Sequence, residues 1–213
     1  KKANLDVYVT ESNSKFLSSD IITEFRGRGD VIHLYPLTFK EYFEAYDGDK
    51  DDAWNDYVLY GGLPYTLFCK TEEDKAEYLK NLYKETYLAD IKERKNIKNE
   101  QLLNDILDVL SSQIGSLTNP TRLTNIINNK YQNETKNKSE DLVNKNTIDS
   151  YIECIENAFL INKAQRYDIK GNHYINSPYK YYYEDIGLRN ARLNFRQIDD
   201  GHIMENIIYN ELL

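Results

Sequence analysis

Methionine and tryptophan occur once each in these 213 residues, cysteine twice, histidine three times and proline four times. The two cysteines, Cys69 and Cys154, have no CxxC or Cys/His spacing, which excludes a disulfide framework and a structural zinc module and suits a reducing cytosol. His33, His173 and His202 lack partners at metal or triad spacing, so each reads as a strand or surface residue and no metal site is expected. No GxSxG, HExxH or GxxxxGK[ST] motif occurs, so this chain does not hold a nucleotide through a P-loop of its own. No apolar run approaches twenty residues and the mean hydropathy is −0.71, which excludes a membrane-spanning helix. Positive charge is also in deficit. Against 35 Asp and Glu there are 27 Lys and Arg, a net charge of −8, so any nucleic-acid site must be local. There is no initiating Met and no signal-peptide pattern, and the chain ends on Glu211-Leu212-Leu213; it reads as a cytoplasmic piece of something longer. What is abundant is tyrosine, nineteen residues, a bias that with the many Asn and Lys fits an AT-rich genome.

The first segment reads as β-α-β. Leu5–Val9 and Asp30–Leu34 have the alternation of short strands, and between them Lys15–Phe25 places Phe16, Leu17 and Ile21 on one stripe. Thr38-Phe39-Lys40-Glu41 has capping-box spacing, so a helix starts at Thr38. Trp54, Tyr57 and Val58 lie on a further helix that ends at Gly61-Gly62-Leu63-Pro64. From Thr71 to about Ile97 a long charged helix carries Leu79, Leu82, Tyr83, Leu88 and Ile91 near one face, as expected of a linker between subdomains.

Three helices follow. Leu103, Ile106, Leu107, Leu110 and Ile114 recur at helical spacing up to Gly115; Asn119-Pro120 opens a helix with Leu123, Ile126 and Ile127; Ile148, Tyr151, Ile152, Ile155 and Phe159 mark the third. The stretch from Asn128 to Glu140 is too hydrophilic to pack. Ile161–Tyr167 and His173–Ile175 flank a turn-rich centre and read as a hairpin, with Tyr179–Tyr183 as a further strand whose tyrosines alternate between faces. Three helices and a hairpin predict a winged helix-turn-helix. The fold class is therefore α+β and mainly helical: remnant α/β strands, a helical linker and a winged helix.

Polar residues at the end of the first strand, Thr10, Ser12, Asn13 and Ser14, sit where α/β folds bind ligands, although the same cluster would serve as a helix cap. Arg26 and Arg28 offer guanidinium groups to phosphoryl oxygens, or favourable charge to a helix C-terminus. The order Thr-x-Ser-Asn-Ser, Arg26-Gly27-Arg28, Pro36-Leu37-Thr38-Phe39-Lys40-Glu41-Tyr42, Tyr60-Gly61-Gly62-Leu63-Pro64, Thr147-Ile148-Asp149-Ser150-Tyr151, Lys180–Ala191 and Met204-Glu205-Asn206 resembles the prokaryotic AAA-type ATPases with a C-terminal domain of unknown function. The resemblance implies that the P-loop and the magnesium-holding acidic strand precede Lys1, that Thr10 and Ser12 belong to the segment sensing the γ-phosphate, that Asn13 contacts the phosphate or water, and that Arg26 and Arg28 act as sensor or finger. Glu11 departs from the family's usual glycine. ATP and magnesium are thus expected in the intact protein and no cofactor in this piece, which alone should not hydrolyse ATP.

The same resemblance divides the chain into the end of an AAA core (1–47), a helical lid or linker (48–98), a winged helix (99–183) and the start of a nuclease-like tail (184–213), where Glu205 would match an acidic metal-site residue. The winged helix would meet DNA through Lys145, Asn146, Thr147 and Ser150 on its recognition helix and Lys163, Arg166 and Lys170 on the wing. Residues 119–183 hold nine Lys and Arg against seven Asp and Glu, a net of +2 that leaves −10 for the rest. Asp149, Glu153 and Glu156 on the same helix oppose that contact. The reading is an ATPase coupled to a DNA-related or defence-related role, with the absent ATPase half, DNA and other copies of the chain as partners and no membrane partner; the alternatives are a non-enzymatic winged-helix regulator and a protein-interaction module.

Overall fold

The computed structural model describes residues 8, 10, 32–89, 91, 92, 97, 99–134, 142–166, 178–196 and 199–213. Of the β-α-β segment, most lies outside the described residues. Ile32 and Leu34, expected in its second strand, are outside any described sheet and 76% and 84% exposed.

Helix α1 (Phe39–Glu44) begins as its capping box dictates: Thr38 Oγ1 accepts from the Glu41 N–H, and the Glu41 carboxylate accepts from the Thr38 N–H at 2.9 Å. Helix α2 (Lys50–Tyr60) is capped by Asp49, which accepts from the Asp51 and Asp52 N–H groups, and stops at Gly61, whose φ of +76° lies in the region that favours glycine. A single 3₁₀ turn (Pro64–Phe68) leads to Thr71, the cap of α3 (Glu72–Asn81). The long charged helix is not uniform: Leu82–Leu88 winds as a π-helix, which the spacing of its apolar residues did not distinguish from α. Leu79, Tyr83 and Ile91 are nonetheless buried, as the stripe predicts.

Next come α4 (Glu100–Ser112), α5 (Pro120–Glu134) and α6 (Lys145–Asn157). Asn99, Asn119 and Asn144 side chains each accept from an N–H three residues on, so asparagine caps all three helices. The first part of the hydrophilic stretch is not loose coil. Residues 128–134 complete α5, and the Asn128 amide exchanges two 2.9 Å hydrogen bonds with the backbone of Val143.

The described sheet joins the first and the last of the three expected extended segments. Strand β1 (Ile161–Gln165) pairs antiparallel with β2 (Tyr179–Tyr183), in register Ile161 to Tyr183 and Gln165 to Tyr179, while His173–Ile175 lie outside the described residues. On its other edge β2 meets the α4–α5 connection, with Thr118 and Tyr179 exchanging hydrogen bonds of 2.8 and 2.9 Å. With both edges occupied and α8 (Asp200–Glu211) stacked alongside, Tyr181, Tyr182 and Tyr183 are all buried: Tyr182 packs on Tyr209 of α8 while Tyr183 meets Ser111 of α4, so both faces of the strand are covered. Helix α7 (Ile186–Arg192) completes the chain order between β2 and α8. The architecture is α+β and mainly helical, and one cluster of buried side chains runs from Tyr42 in α1 to Ile207 in α8. No described helix is long and apolar enough to cross a membrane.

Candidate functional site

The chain segment leading into α1 is fastened to the helical body by backbone groups. Leu37 N–H donates to the Gly62 carbonyl at 2.9 Å, Tyr57 OH donates to the Leu37 carbonyl at 2.9 Å, and the Phe39 N–H donates to the Glu211 carboxylate at 2.6 Å. Beneath this lies Asp185, fully enclosed. One oxygen accepts from Gly62 N–H at 2.8 Å and the other from Leu188 N–H at 3.1 Å, so a single carboxylate caps α7 and grips the end of α2. Close approach requires the glycines: a Cβ on Gly61 would stand 2.3 Å from Asp185 Oδ1, and one on Gly187 only 2.1 Å from the Tyr60 carbonyl oxygen. Asn190 then donates to the Val58 and Leu59 carbonyls, and buried Arg189 donates from Nε to the Ser111 carbonyl, tying α7 to α2 and α4.

Above Asp185 opens a cavity of about 320 Å³ whose polar wall is His33, Thr38, Glu41, Glu184, Asp185 and Glu211. His33 Nε2 lies 3.6 Å from Glu184 Oε2; its ring stacks on Tyr35 at 4.1 Å and meets Phe159 edge-on at 4.7 Å. Burial pushes the Glu184 carboxyl up to about 7, an effect that the Asn162 side chain partly offsets. Burial likewise lifts Asp185 to about 6 against the pull of its backbone hydrogen bonds, and it lowers His33 below its ordinary value. Among the described residues no Lys or Arg lines this cavity, so the described wall suits proton-holding carboxyls or a cationic group. Three of its acids already have partners within the fold: Glu41 with Thr38, Asp185 with Gly62 and Leu188, Glu211 with Phe39. Glu184, buried, meets Asn162 and the half-exposed His33. No grouping of three His, Cys, Asp or Glu able to hold a metal occurs among the described residues.

Of the residues expected to sense phosphate, Thr10 is described and exposed, while Ser12, Asn13, Arg26 and Arg28 lie outside the described residues. Lys145, Asn146, Thr147 and Ser150 share the first turns of α6. Lys145, Asn146 and Ser150 are exposed; Thr147 Oγ1 donates to Asn144 and Ser150 Oγ to the Thr147 carbonyl. Lys163 is not with them: its ammonium sits over the Tyr179 ring at 3.9 Å and beside Glu156, roughly 16 Å along the α6 axis from Lys145 by helical rise. Arg166 is exposed at the end of β1, and Lys170 lies outside the described residues. Glu205 is committed to the fold. Its Oε1 accepts from Lys180 and, at 2.6 Å, from Tyr182 OH, bonds that outweigh burial and hold its carboxyl below the usual range.

Residue types alone did not single out His33, Glu184 or Asp185. The available signal was the adjacent acidic pair Glu184-Asp185 entering a helix with a glycine at Gly187, together with the glycine pair at Gly61-Gly62.

Comparison with known proteins places these elements. The family described as a domain of unknown function (DUF8612) matches residues 51–199, and an AAA domain matches residues 1–43. An uncharacterized protein of Haemophilus influenzae is 32% identical over 216 residues, covering 99% of this chain and 51% of its own. An uncharacterized protein of Methanocaldococcus jannaschii is 26% identical over 222 residues, covering 99% and 47%. The chain thus spans about half the length of these curated relatives. No solved structure matches it significantly.

Proposed function

This chain belongs to the DUF8612 family, and on that premise we propose that it is the C-terminal portion of an AAA-type ATPase in which nucleotide state is passed to a DNA-related or defence-related action of the helical body. The observation that carries the reading is the AAA match over residues 1–43 ending inside α1, whose first residue, Phe39, bonds to Glu211 and whose lead-in residue Leu37 bonds to Gly62, itself held by Asp185. An AAA segment and a family body meet at that junction, so a movement of residues 32–38 would have to repack the cavity holding His33 and Glu184. Relatives of twice the length leave room for a P-loop half and for the acidic strand that would hold magnesium. In that assembly Thr10 and Ser12 line the γ-phosphate, Asn13 orients the water, and Arg26 or Arg28 neutralises charge on the transferring phosphoryl group.

The helix–bridge–helix–helix–strand–strand order of residues 99–183 supports the winged-helix assignment, because Thr118 takes the place of the short first strand against β2. Lys145, Asn146, Thr147 and Ser150 are its proposed DNA-facing residues, with Lys163, Arg166 and Lys170 toward the wing.

The test is ATP turnover in a form extended upstream to include the P-loop half. Arg26→Ala and Arg28→Ala are expected to lower turnover by at least about tenfold between them, consistent with loss of a charge-neutralising group. Turnover unchanged in both variants would remove the arginines from the mechanism. No turnover in the extended wild type would sink the ATPase reading.

A further inference from the structure

A separate groove of about 470 Å³ is lined by Lys80, Lys84, Lys92 and Arg192, with Tyr83 and Leu88 forming an apolar floor. It collects four cations and one acid, Glu85, in a chain whose net charge is −8. The wall is the end of α3 and the π-helical turn Leu82–Leu88, a winding that recurs at functional sites because it displaces side chains from the regular helical ladder.

The four cations are not equivalent. Arg192 is fixed: it reaches Asp108 at 2.8 and 2.7 Å, the Asn104 side chain and carbonyl, and the Tyr83 ring at 5.8 Å. Lys92 is paired with Glu100. Lys84 meets Glu85 at 3.5 Å, but both side chains are more than 70% exposed, and such a pair is weak and readily exchanged. Lys80 lies over the Phe195 ring at 5.7 Å and has no carboxylate within ion-pair distance among the described residues. Lys80, with no carboxylate partner among the described residues, and Lys84, held only by this weak pair, are thus the two cations most readily turned to a ligand. They lie four residues apart, a spacing that sets Cβ atoms about 6 Å apart on a regular helix, beside the fixed Arg192 guanidinium.

The ligand class follows from the pattern of charge. Residues 80–98 contain six Lys and Arg (Lys80, Lys84, Lys92, Arg94, Lys95, Lys98) against three acids (Glu85, Asp90, Glu93), a net of +3, which leaves −11 for the rest of the chain. Within the groove itself Lys80, Lys84, Lys92 and Arg192 are spread over more than the width of one phosphate, a spread that matches a repeating anion. Successive phosphates of one strand rise about 3.4 Å, so two or three fall within reach of Lys80 and Lys84. Leu88 and Ala89 on the groove wall, over the buried Tyr83, offer the apolar surface that sugar faces need and that acidic peptides do not. We propose that the groove between the π-helical turn and α7 binds the phosphodiester backbone of nucleic acid, as a site independent of α6.

Fluorescence anisotropy with labelled duplex and single-stranded oligonucleotides, titrated with this 213-residue chain across a salt series, tests this directly. K80Q/K84Q is expected to weaken binding on the order of tenfold and to make the log–log salt dependence shallower by roughly two, while K80R/K84R retains wild-type affinity. Both lysines are exposed, and an unchanged unfolding midpoint shows that the variant is folded. Absence of binding at low salt, unchanged affinity in K80Q/K84Q, or displacement by polyglutamate as effective as by unlabelled DNA would each overturn the proposal. Loss of binding in K145Q/K163Q without loss in K80Q/K84Q would also overturn it and leave α6 as the contact.

Discussion

Gly187→Ala is expected to destabilise the fold by about 3 kcal/mol or more, the range of an overpacked core that also loses hydrogen bonds. The added Cβ would stand 2.1 Å from the Tyr60 carbonyl oxygen and 2.5 Å from its carbon, and both are backbone atoms at the end of α2. Neither can rotate away, so α7 must lift. Lifting α7 stretches the Asn190 bonds to Val58 and Leu59 and the Asp185 bond to Gly62, and each buried group left without a partner costs about 1–3 kcal/mol. Chemical denaturation of wild type and variant at one pH gives the difference. A loss below about 1 kcal/mol would show that α7 does not hold α2 in this way.

Glu184→Gln is expected to stabilise the chain at pH 8, by about 3 kcal/mol at most, and to change little at pH 5. Burial raises the folded-state value to about 7, above the ordinary 4.5, so between these values the folded chain keeps a proton that the unfolded chain has released. The protonated side chain's stability is therefore fully present below about pH 4.5 and is lost as pH rises through about 7. Asp185, lifted to about 6, acts in the same sense and leaves a residual slope in the variant. His33, lowered by burial, acts in the opposite sense, and with its side chain 32% exposed its effect is the smaller. Urea unfolding at pH 5, 6.5 and 8 measures both curves. Equal pH dependence in the two proteins would mean that Glu184 is not enclosed against His33.

Much of the helical frame was legible because each end carries its own local signal. Thr38 with Glu41, Asp49, Thr71, Asn119 before Pro120, and Gly115 at φ +69° all act within one turn of where they sit, and a sequence displays such signals directly. The sheet was less legible. Ile161 pairs with Tyr183, and that register depends on Thr118 and α8 closing over β2, which no local pattern records. The π-helical turn was hidden for a related reason: Tyr83 and Leu88 fit either winding, and packing against α7 decides between them. The junction cavity was the least visible, because His33, Gly62, Glu184 and Glu211 come from four distant segments. The adjacent glycine pair and acidic pair marked two of those segments without showing that they meet.

Coupling across this junction is measured most directly by hydrogen exchange at the Leu37 and Gly62 amides in the upstream-extended form, with and without a non-hydrolysable ATP analogue. Both amides are hydrogen-bonded at the seam, Leu37 to the Gly62 carbonyl and Gly62 to Asp185. If nucleotide state reaches the helical body through α1, their exchange must change by about tenfold or more on saturation with the analogue, the mark of a coupling free energy of at least about 1.4 kcal/mol. Identical exchange with the analogue demonstrably bound would contradict the account.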